Sequence, residues 1–174
     1  MTASGLEISP VRPDEYEAVS RIVIDTYRTL DFVIHPEYGA ELVDVARRAS
    51  DPNVVVLIAR LDGRPVGHAA VVIGPSPMSD HDEPDESSLR MVAVLPEMQG
   101  RGVGRALIVA AMQASRRAGR PIMRLYTQPF MKAAQHIYES LGFRRAPARD
   151  HWIARHQMQL IAYEIDLREA AVSP

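Results

Sequence analysis

The sequence predicts an α/β fold of the α+β type, with a mixed, mainly antiparallel central sheet of about six to seven strands flanked by about four helices. The length of 174 residues is one that a single hydrophobic core commonly organises. Segments with strand and helix periodicity follow one another in the order β-α-α-β-β-β-α-β-α-β-β. The chain contains no internal repeat, linker or low-complexity tract, so one domain over residues 1–174 is predicted.

The strands are predicted from β-branched and apolar runs that are bounded by turn residues. The run from Val54 to Arg60 is continuous and indicates a buried strand, and Asp62-Gly63-Arg64-Pro65 indicates a hairpin turn that leads into a partner strand from Val66 to Ile73. The remaining predicted strands are Leu6–Val11, Ser88–Leu95, Ile122–Tyr126, a short one opening at Phe143-Arg144, and Leu160–Leu167. The strand–helix–strand unit from Ser88 to Tyr126 has the length of a parallel crossover.

Helices are predicted where apolar residues recur at helical spacing. Pro13-Asp14-Glu15 marks the start of the first helix, and a second helix is predicted from about Pro36 to Arg48. A third, amphipathic helix starts at about Val103 and ends before Gly119, and the fourth runs from about Met131 to Leu141. Two segments without periodicity are predicted to be a long loop and an irregular stretch, Gly74–Glu86 and Arg145–Met158.

Composition excludes several classes of function. Lys plus Arg number 20 and Asp plus Glu number 22, a net charge of −2, so no basic field for a nucleic-acid partner is expected. The absence of cysteine excludes disulfides, cysteine-ligated zinc, iron–sulfur clusters and a cysteine nucleophile. No apolar run approaches the ~18 residues of a membrane span, and no signal-peptide pattern is present. A cytoplasmic protein with no membrane partner is therefore expected.

The most specific motif is the turn Gln99-Gly100-Arg101-Gly102-Val103-Gly104, which follows a predicted strand and opens a helix. Glycine allows a ligand to approach the backbone closely, and the first helical amides attract anions. Arg101 and Arg105 add positive charge, so the turn predicts a phosphate cradle. The nucleotide-binding patterns fit poorly, because no Walker-type GxxxxGK sequence exists and Arg105 stands where a dinucleotide motif needs its last glycine. The alternative is a tight turn without a ligand, which three glycines beside two arginines disfavour.

Two sequence blocks carry a resemblance to a known family. The strand Met91-Val92-Ala93-Val94-Leu95-Pro96 and the glycine-rich turn strongly resemble the GNAT family of N-acetyltransferases, whose signature is Arg/Gln-x-x-Gly-x-Gly/Ala after such a strand. The second family block is matched by Ala134-Gln135-His136-Ile137-Tyr138-Glu139-Ser140-Leu141-Gly142-Phe143. The resemblance implies a GNAT-like fold and an enzyme that moves an acetyl group from acetyl-CoA, its co-substrate, to a primary amine.

The resemblance also implies roles for individual residues. The amides of Gln99, Gly100, Arg101, Gly102, Val103 and Gly104 would hold the pyrophosphate of acetyl-CoA, with Arg105 beside them. The backbone of Val92, Ala93 and Val94 would pair with the pantetheine arm, and an amide near Val92 would polarise the thioester carbonyl. Tyr138 would donate a proton to the departing thiolate; the alternative is that Tyr138 is a core residue on a helical stripe. Because cysteine is absent, direct transfer in a ternary complex is expected.

The sequence departs from the family pattern at the cofactor and at the general base. Met131 stands where the family often has asparagine, so this contact is lost or is replaced by Gln128. Tyr126 and Ser88 stand where some members carry a glutamate base. Glu86 lies two residues before Ser88, on the same strand face, and is the candidate base; a water relay is the alternative.

The acceptor is predicted only as a class, a primary amine of a small molecule or a peptide. His35 and the run Asp150-His151-Trp152 are candidates for the acceptor wall, whereas His68 is predicted to be a hydrogen-bonded structural residue. The acidic segment Asp80–Glu86 would either attract a cationic amine or form a solvated loop, and its Asp80-His81-Asp82 is not expected to bind a metal. Two alternatives stay open: a non-catalytic sensor of acyl-CoA, and an acetyltransferase acting on a macromolecular partner. Family members often form homodimers, but no sequence feature decides the assembly.

Overall fold

A computed structural model describes residues 5–30, 34–79, 83–154 and 158–170. Within these ranges the chain forms eight strands, which are β1 (Leu6–Pro10), β2 (Val54–Leu61), β3 (Arg64–Val72), β4 (Glu86–Val94), β5 (Ile122–Thr127), β6 (Arg144–Arg145), β7 (His151–Ile153) and β8 (Met158–Asp166). The same ranges contain five α-helices, which are α1 (Tyr16–Arg28), α2 (Pro36–Val43), α3 (Val45–Ser50), α4 (Val103–Arg117) and α5 (Lys132–Ser140). Each helix in these ranges is too short or too polar to cross a bilayer.

The strands form one sheet in the order β1-β2-β3-β4-β5-β8-β6, and β7 pairs with β8 as well. Every pairing is antiparallel except that of β4 with β5, which is parallel. The connection between these two strands passes through α4, as a parallel pair requires a crossover. The predicted mainly antiparallel sheet and its parallel unit are therefore confirmed.

Helices cover the sheet on both faces and enclose two hydrophobic cores. The stripe of α4, which includes Leu107, Ala111 and Met112, packs with Tyr138 and Phe143 in the larger core. The smaller core lies under the first three helices and contains Val19, Ile22, Val23, Leu42 and Val45. Strands β2 and β3 contribute alternate residues to both cores, which explains why their sequences are apolar without interruption.

The predicted helix from Pro36 to Arg48 is two helices, so this prediction was wrong. The backbone leaves the helical conformation at Asp44, with φ −81° and ψ 66°, and the Asp44 carboxylate accepts a hydrogen bond from the Arg47 N–H at 3.1 Å. Aspartate is a favoured N-cap residue, because its carboxylate accepts a hydrogen bond from a free N–H of the first helical turn. The non-helical backbone that this cap requires at Asp44 separates α2 from α3. The buried Arg48 guanidinium then donates to the carbonyls of Glu41 and Leu42, which fixes the end of α2.

The predicted irregular stretch Arg145–Met158 contains β7, whose residues pair with Met158 to Leu160 of β8. Three residues are too few for a periodic pattern, so only the tertiary pairing reveals this strand. The counts of strands and helices accordingly exceed the predicted ones by one each.

Candidate active site

A cleft opens between β4 and β5 in the middle of the sheet. The two strands pair through Glu86–Leu89 and Ile122–Leu125, but β4 continues to Val94 and β5 to Thr127. In the described chain no pairing joins these later residues, so the two strands part. The parting leaves strand edges without their usual partner, which is the arrangement to which an extended ligand can add as a strand.

A β-bulge bends β4 where the cleft begins. The register between β3 and β4 shifts between His68 and Ala70, and Met91 has a φ of +53°, which is uncommon for a residue with a side chain. An extra residue of this kind re-aims the strand and its side chains. Leu89 accordingly belongs to the core under α4, and Met91 belongs to the core under α1.

The backbone of the last residues of β4 has a defined orientation. The Leu95 N–H donates to the Val66 carbonyl of β3 at 3.0 Å. Because successive residues of a strand point their polar groups to opposite edges, those of Val94 point away from β3 and those of Ala93 point towards it. The Val94 carbonyl accepts from Thr26 Oγ1 at 3.0 Å and from Gln99 Nε2 at 3.2 Å. The Val94 amide therefore lies on the open side of β4, whereas the polar groups of Ala93 face β3; the predicted pairing of Val92, Ala93 and Val94 with the pantetheine arm stays a prediction.

The glycine-rich turn joins β4 to α4 at the mouth of the cleft. Gly100 and Gly102 have φ of +75° and +81°, a conformation in which other residues are strained. The first bond of the α4 ladder runs from the Ala106 N–H to the Gly102 carbonyl. The N–H groups of Val103, Gly104 and Arg105 therefore precede the ladder at the positive end of a 15-residue helix. These donors fit the pyrophosphate of a coenzyme A thioester, which needs several hydrogen bonds at one helix end.

Two arginines stand beside these amides. Arg101 is exposed in the turn, and Arg105 donates to Ser140 Oγ at the end of α5 at 2.9 Å. The bond from Arg105 brings α5 next to the start of α4. The predicted set Gln99 to Arg105 is thus assembled around one helix N-terminus.

Tyr138 lies on α5 and is buried in the core under α4. Its ring packs against those of Phe143 and Tyr163, with both centroids at 5.9 Å. Burial raises the pKa of the Tyr138 phenol well above its usual value, and Tyr27 and Tyr163 raise it further. The phenol is therefore protonated at neutral pH and can only donate its proton. The ring is thus a core element, and the predicted role of the hydroxyl as a proton donor stays a prediction.

Glu86 forms an ion pair with the buried guanidinium of Arg124. Arg124 Nη2 donates to Glu86 Oε1 at 2.6 Å, Nη1 donates to Oε2, and Nη2 also reaches Glu164 at 3.1 Å. Both carboxylate oxygens of Glu86 therefore accept from one cation. Its role as a base stays a prediction, but we assign no proton transfer to a carboxylate held in this way. Arg124 was not singled out in the sequence, because its partner on β4 lies 38 positions away.

Gln128 and Met131 hold the connection between β5 and α5. The Gln128 carbonyl accepts from Gln135 Nε2 at 3.0 Å, and Gln128 Nε2 lies 3.2 Å from the sulfur of Met158. The Met131 sulfur lies 3.5 Å from Thr127 Oγ1. Their predicted contact with the cofactor stays a prediction. Gln135 is buried, and the sequence analysis did not single it out. The signal in the sequence was a glutamine beside the apolar stripe of a predicted helix.

The candidates for the acceptor wall lie in different places. His151 packs edge-on against Tyr126 of β5, with ring centroids 4.8 Å apart, whereas Trp152 is 56% exposed. His35 is the N-cap residue of α2. His68 is fully buried with Nδ1 3.0 Å from the Leu57 carbonyl, so the predicted structural hydrogen bond is confirmed. Asp80, His81 and Asp82 lie outside the described residues.

Comparison with known proteins points to one family. A profile described as the acetyltransferase (GNAT) family matches residues 17–143. The mycothiol acetyltransferase of Thermomonospora curvata is 33% identical over 118 residues, which are 66% of this chain but only 37% of that protein. The chain thus spans well under half the length of this curated relative.

Solved structures share the whole fold. The yncA acetyltransferase of Salmonella typhimurium, solved with acetyl-CoA, superposes with a TM-score of 0.72 at 19% identity over 97% of each chain. The ribosomal-protein-S18-alanine N-acetyltransferase of Escherichia coli superposes with a TM-score of 0.67 at 20% identity, over 93% of this chain and 94% of that one. At these identities the likeness is one of fold.

Proposed function

Because this chain belongs to the acetyltransferase (GNAT) family, we propose that it transfers an acetyl group from acetyl-CoA to a primary amine. The observation that carries the proposal is the parting of β4 and β5 beside the glycine-rich turn. This arrangement provides an open strand edge and a helix N-terminus next to each other. An extended arm that ends in a pyrophosphate matches both features at once.

Different residues of the cleft would bind acetyl-CoA and protonate its leaving group. The amides of Val103, Gly104 and Arg105 hold the pyrophosphate, and the open edge of β4 orients the pantetheine arm. Acetyl-CoA supplies the thioester carbonyl and a thiolate leaving group. Tyr138, which is buried and protonated, donates a proton to that leaving group. Transfer occurs directly between the two substrates, because the chain has no cysteine to form a thioester of its own.

The acceptor is an amine of a small molecule or of a peptide. The relative at 33% identity is named a mycothiol acetyltransferase, which favours a small molecule. The structural neighbour named for the alanine of ribosomal protein S18 favours a peptide amine. A panel of amines that includes both kinds separates the two.

Thermal unfolding with acetyl-CoA tests the binding half of the proposal. A ligand at 100 times its dissociation constant stabilises the folded state by about 2.7 kcal/mol, which is a measurable shift. We expect this shift with acetyl-CoA and none with NAD or ATP at equal concentration. The amine panel, followed by release of free thiol, then tests transfer. No shift at millimolar acetyl-CoA would refute the proposal, and a shift without turnover on any amine would indicate an acyl-CoA sensor.

A further inference from the structure

One histidine lies on the sheet where the cleft opens. Met123 and Leu125 of β5 belong to the core under α4, so the alternating residues Arg124 and Tyr126 point to the opposite face of the sheet. The last pair between β4 and β5 is Leu89 with Leu125, so Tyr126 is the first residue of β5 beyond the paired segment. His151 packs on the ring of Tyr126. The His151 imidazole is therefore next to the start of the cleft, on the face that the core under α4 does not fill.

The hairpin that carries His151 is anchored. His151 is in register with Leu160 of β8. The preceding residue, Asp150, accepts from Arg145 Nη2 at 2.7 Å and from the Ala162 N–H at 2.8 Å. The imidazole thus stands on a strand held from two sides, although its own side chain is exposed.

A hydrogen bond from the His151 ring to the backbone determines which ring nitrogen carries the hydrogen in the neutral imidazole. Nδ1 of His151 lies 3.3 Å from the carbonyl oxygen of Arg149. A carbonyl only accepts, so in the neutral imidazole Nδ1 carries the hydrogen and donates it. The lone pair is then on Nε2, which is the nitrogen that can accept a proton.

The two residues for which the sequence predicted a role in proton transfer do not fill this role. Glu86 is held at both oxygens by Arg124. The Tyr138 phenol is protonated and so acts only as a donor.

We infer that His151 Nε2 is the base that takes the proton from the amine acceptor, directly or through one water, and this inference rests on the proposed acetyl transfer. An N–H bond of the ammonium breaks, and Nε2 gains that proton. The lone pair left on nitrogen forms the C–N bond to the thioester carbonyl carbon as the C–S bond breaks. The sulfur takes the Tyr138 proton, and the second proton lost by nitrogen restores the phenol.

The pKa of the acceptor amine sets how readily it gives up its proton to this base. Histidine side chains have an ordinary pKa of about 6.5, α-amines about 7.7–8.0 and lysine-type amines about 10.4. Proton transfer to an imidazole is thus more favourable for an α-amine than for a lysine-type amine by about 2.5 units, or roughly 300-fold. At neutral pH we therefore expect faster transfer to an α-amine, as in a peptide N-terminus or an aminoacyl group, than to a lysine-type amine.

The test compares His151→Gln with His136→Gln, a matched control on the exposed face of α5. The full chain is assayed from pH 5.5 to 9 with acetyl-CoA and two probes, alanylglycylglycine and Nα-acetyl-lysine amide. In the described residues the charged or titratable groups facing His151 are Tyr126 of β5 and, on its own hairpin, Arg149 and Asp150. None of these is altered in either variant.

We expect His151→Gln to lower kcat/KM for the α-amine at pH 7 by about 100-fold. It should also remove the part of the acid-side fall in activity that exceeds the fall expected from protonation of the acceptor amine itself, while retaining the thermal shift with acetyl-CoA. Added imidazole should partly restore a second variant, His151→Ala, and His136→Gln should behave as wild type. If His151→Gln had the same kcat/KM and the same pH profile as the wild type, this inference would be wrong, and the proposed acetyl transfer would not be affected. A wild-type chain without turnover on either probe or on any amine of the panel would instead overturn the proposed transfer, and this inference with it.

Discussion

At the scale of single residues, burial determines the chemistry available to Tyr138. An exposed phenol would titrate near pH 10, whereas packing among Phe143 and Tyr163 raises the pKa of Tyr138 well above that. The phenol therefore stays protonated even in alkaline solution, and burial makes it a weaker acid than an exposed phenol. The same packing makes the ring part of the core, while the proposed proton donor is the hydroxyl that this ring carries.

Tyr138→Phe separates these two contributions. The phenyl ring keeps the contacts with Phe143 and Tyr163, so the variant should fold with nearly unchanged stability. Loss of the proton donor should lower kcat by about 100-fold and leave the dissociation constant of acetyl-CoA unchanged. Steady-state kinetics and calorimetric titration measure the two quantities. Equal turnover of the variant and the wild type would mean that Tyr138 is only a core residue.

At the scale of elements, the glycine-rich turn has two glycines with different physical requirements. Gly102 has a φ of +81° and is the N-cap of α4, where a side chain would be strained. Gly104 lies inside the first turn of α4, and a Cβ there would be 3.7 Å from Val94 and 3.8 Å from Ile137, which is ordinary contact. The fold therefore needs glycine at position 102 and tolerates alanine at 104.

Alanine at each position gives opposite results. Gly102→Ala should lower the free energy of unfolding by about 1–2 kcal/mol and weaken acetyl-CoA binding by roughly tenfold, about 1.4 kcal/mol. Gly104→Ala should raise stability by up to about 1 kcal/mol, because alanine is the better helix former, and should leave binding nearly unchanged. Urea unfolding and acetyl-CoA titration measure both variants. Equal losses of binding in the two would show that the ligand, not the backbone, requires both glycines.

The elements differ in how far the sequence alone predicts them. The hairpin at Asp62-Gly63 and the turn at Gly100–Gly104 depend on local backbone requirements, so both were predictable. The break at Asp44 was not, because a periodic apolar pattern continues across it and only the cap bond to Arg47 distinguishes two helices from one. The short β7 forms by pairing with β8, and no local sequence pattern predicts this pairing.

In the candidate site, too, local features could be predicted from the sequence and long-range contacts could not. Its glycine-rich turn and Tyr138 were singled out from the sequence because the two family blocks are continuous in sequence. The pairing of Glu86 with Arg124 and the contact of His151 with Tyr126 join residues 38 and 25 positions apart. Such contacts depend on strand order and register, which periodicity does not specify.

At the scale of the whole molecule, the sheet combines rigidity with an opening. Strands β1 to β4 pair along most of their length, with a register shift between β2 and β3 and a bulge between β3 and β4, and β2 and β3 are buried between two cores; β4 and β5 share only four pairs before they part. The cleft is thus placed between a firmly packed half of the sheet and the half formed by β5, β8 and their hairpin. An extended ligand that pairs with the open edge of β4 would occupy the position that β5 leaves when the two strands part.

The stability of the whole domain should depend on the buried His68. Burial is the main cause that lowers the pKa of His68, to about 3, and the charge of Arg48 lowers it further. The unfolded chain binds a proton below its ordinary value of about 6.5, and the folded chain does not, so stability falls as the pH falls below 6.5. The slope due to this residue approaches about 1.4 kcal/mol per pH unit between about pH 4 and pH 6.

His68→Asn isolates this contribution, because its amide can still donate to the Leu57 carbonyl but does not titrate. Urea unfolding from pH 4 to pH 7 should show a slope smaller than that of the wild type by about 1.4 kcal/mol per pH unit at most. The difference should remain between pH 5 and 6, where Glu15 and Asp150, whose pKa values are lowered by their arginine partners, contribute little. His136→Gln, which removes an exposed imidazole, should leave the slope unchanged. Parallel curves for His68→Asn and the wild type would mean that the folded protein accommodates a charged His68, and that acid unfolding starts elsewhere in the molecule.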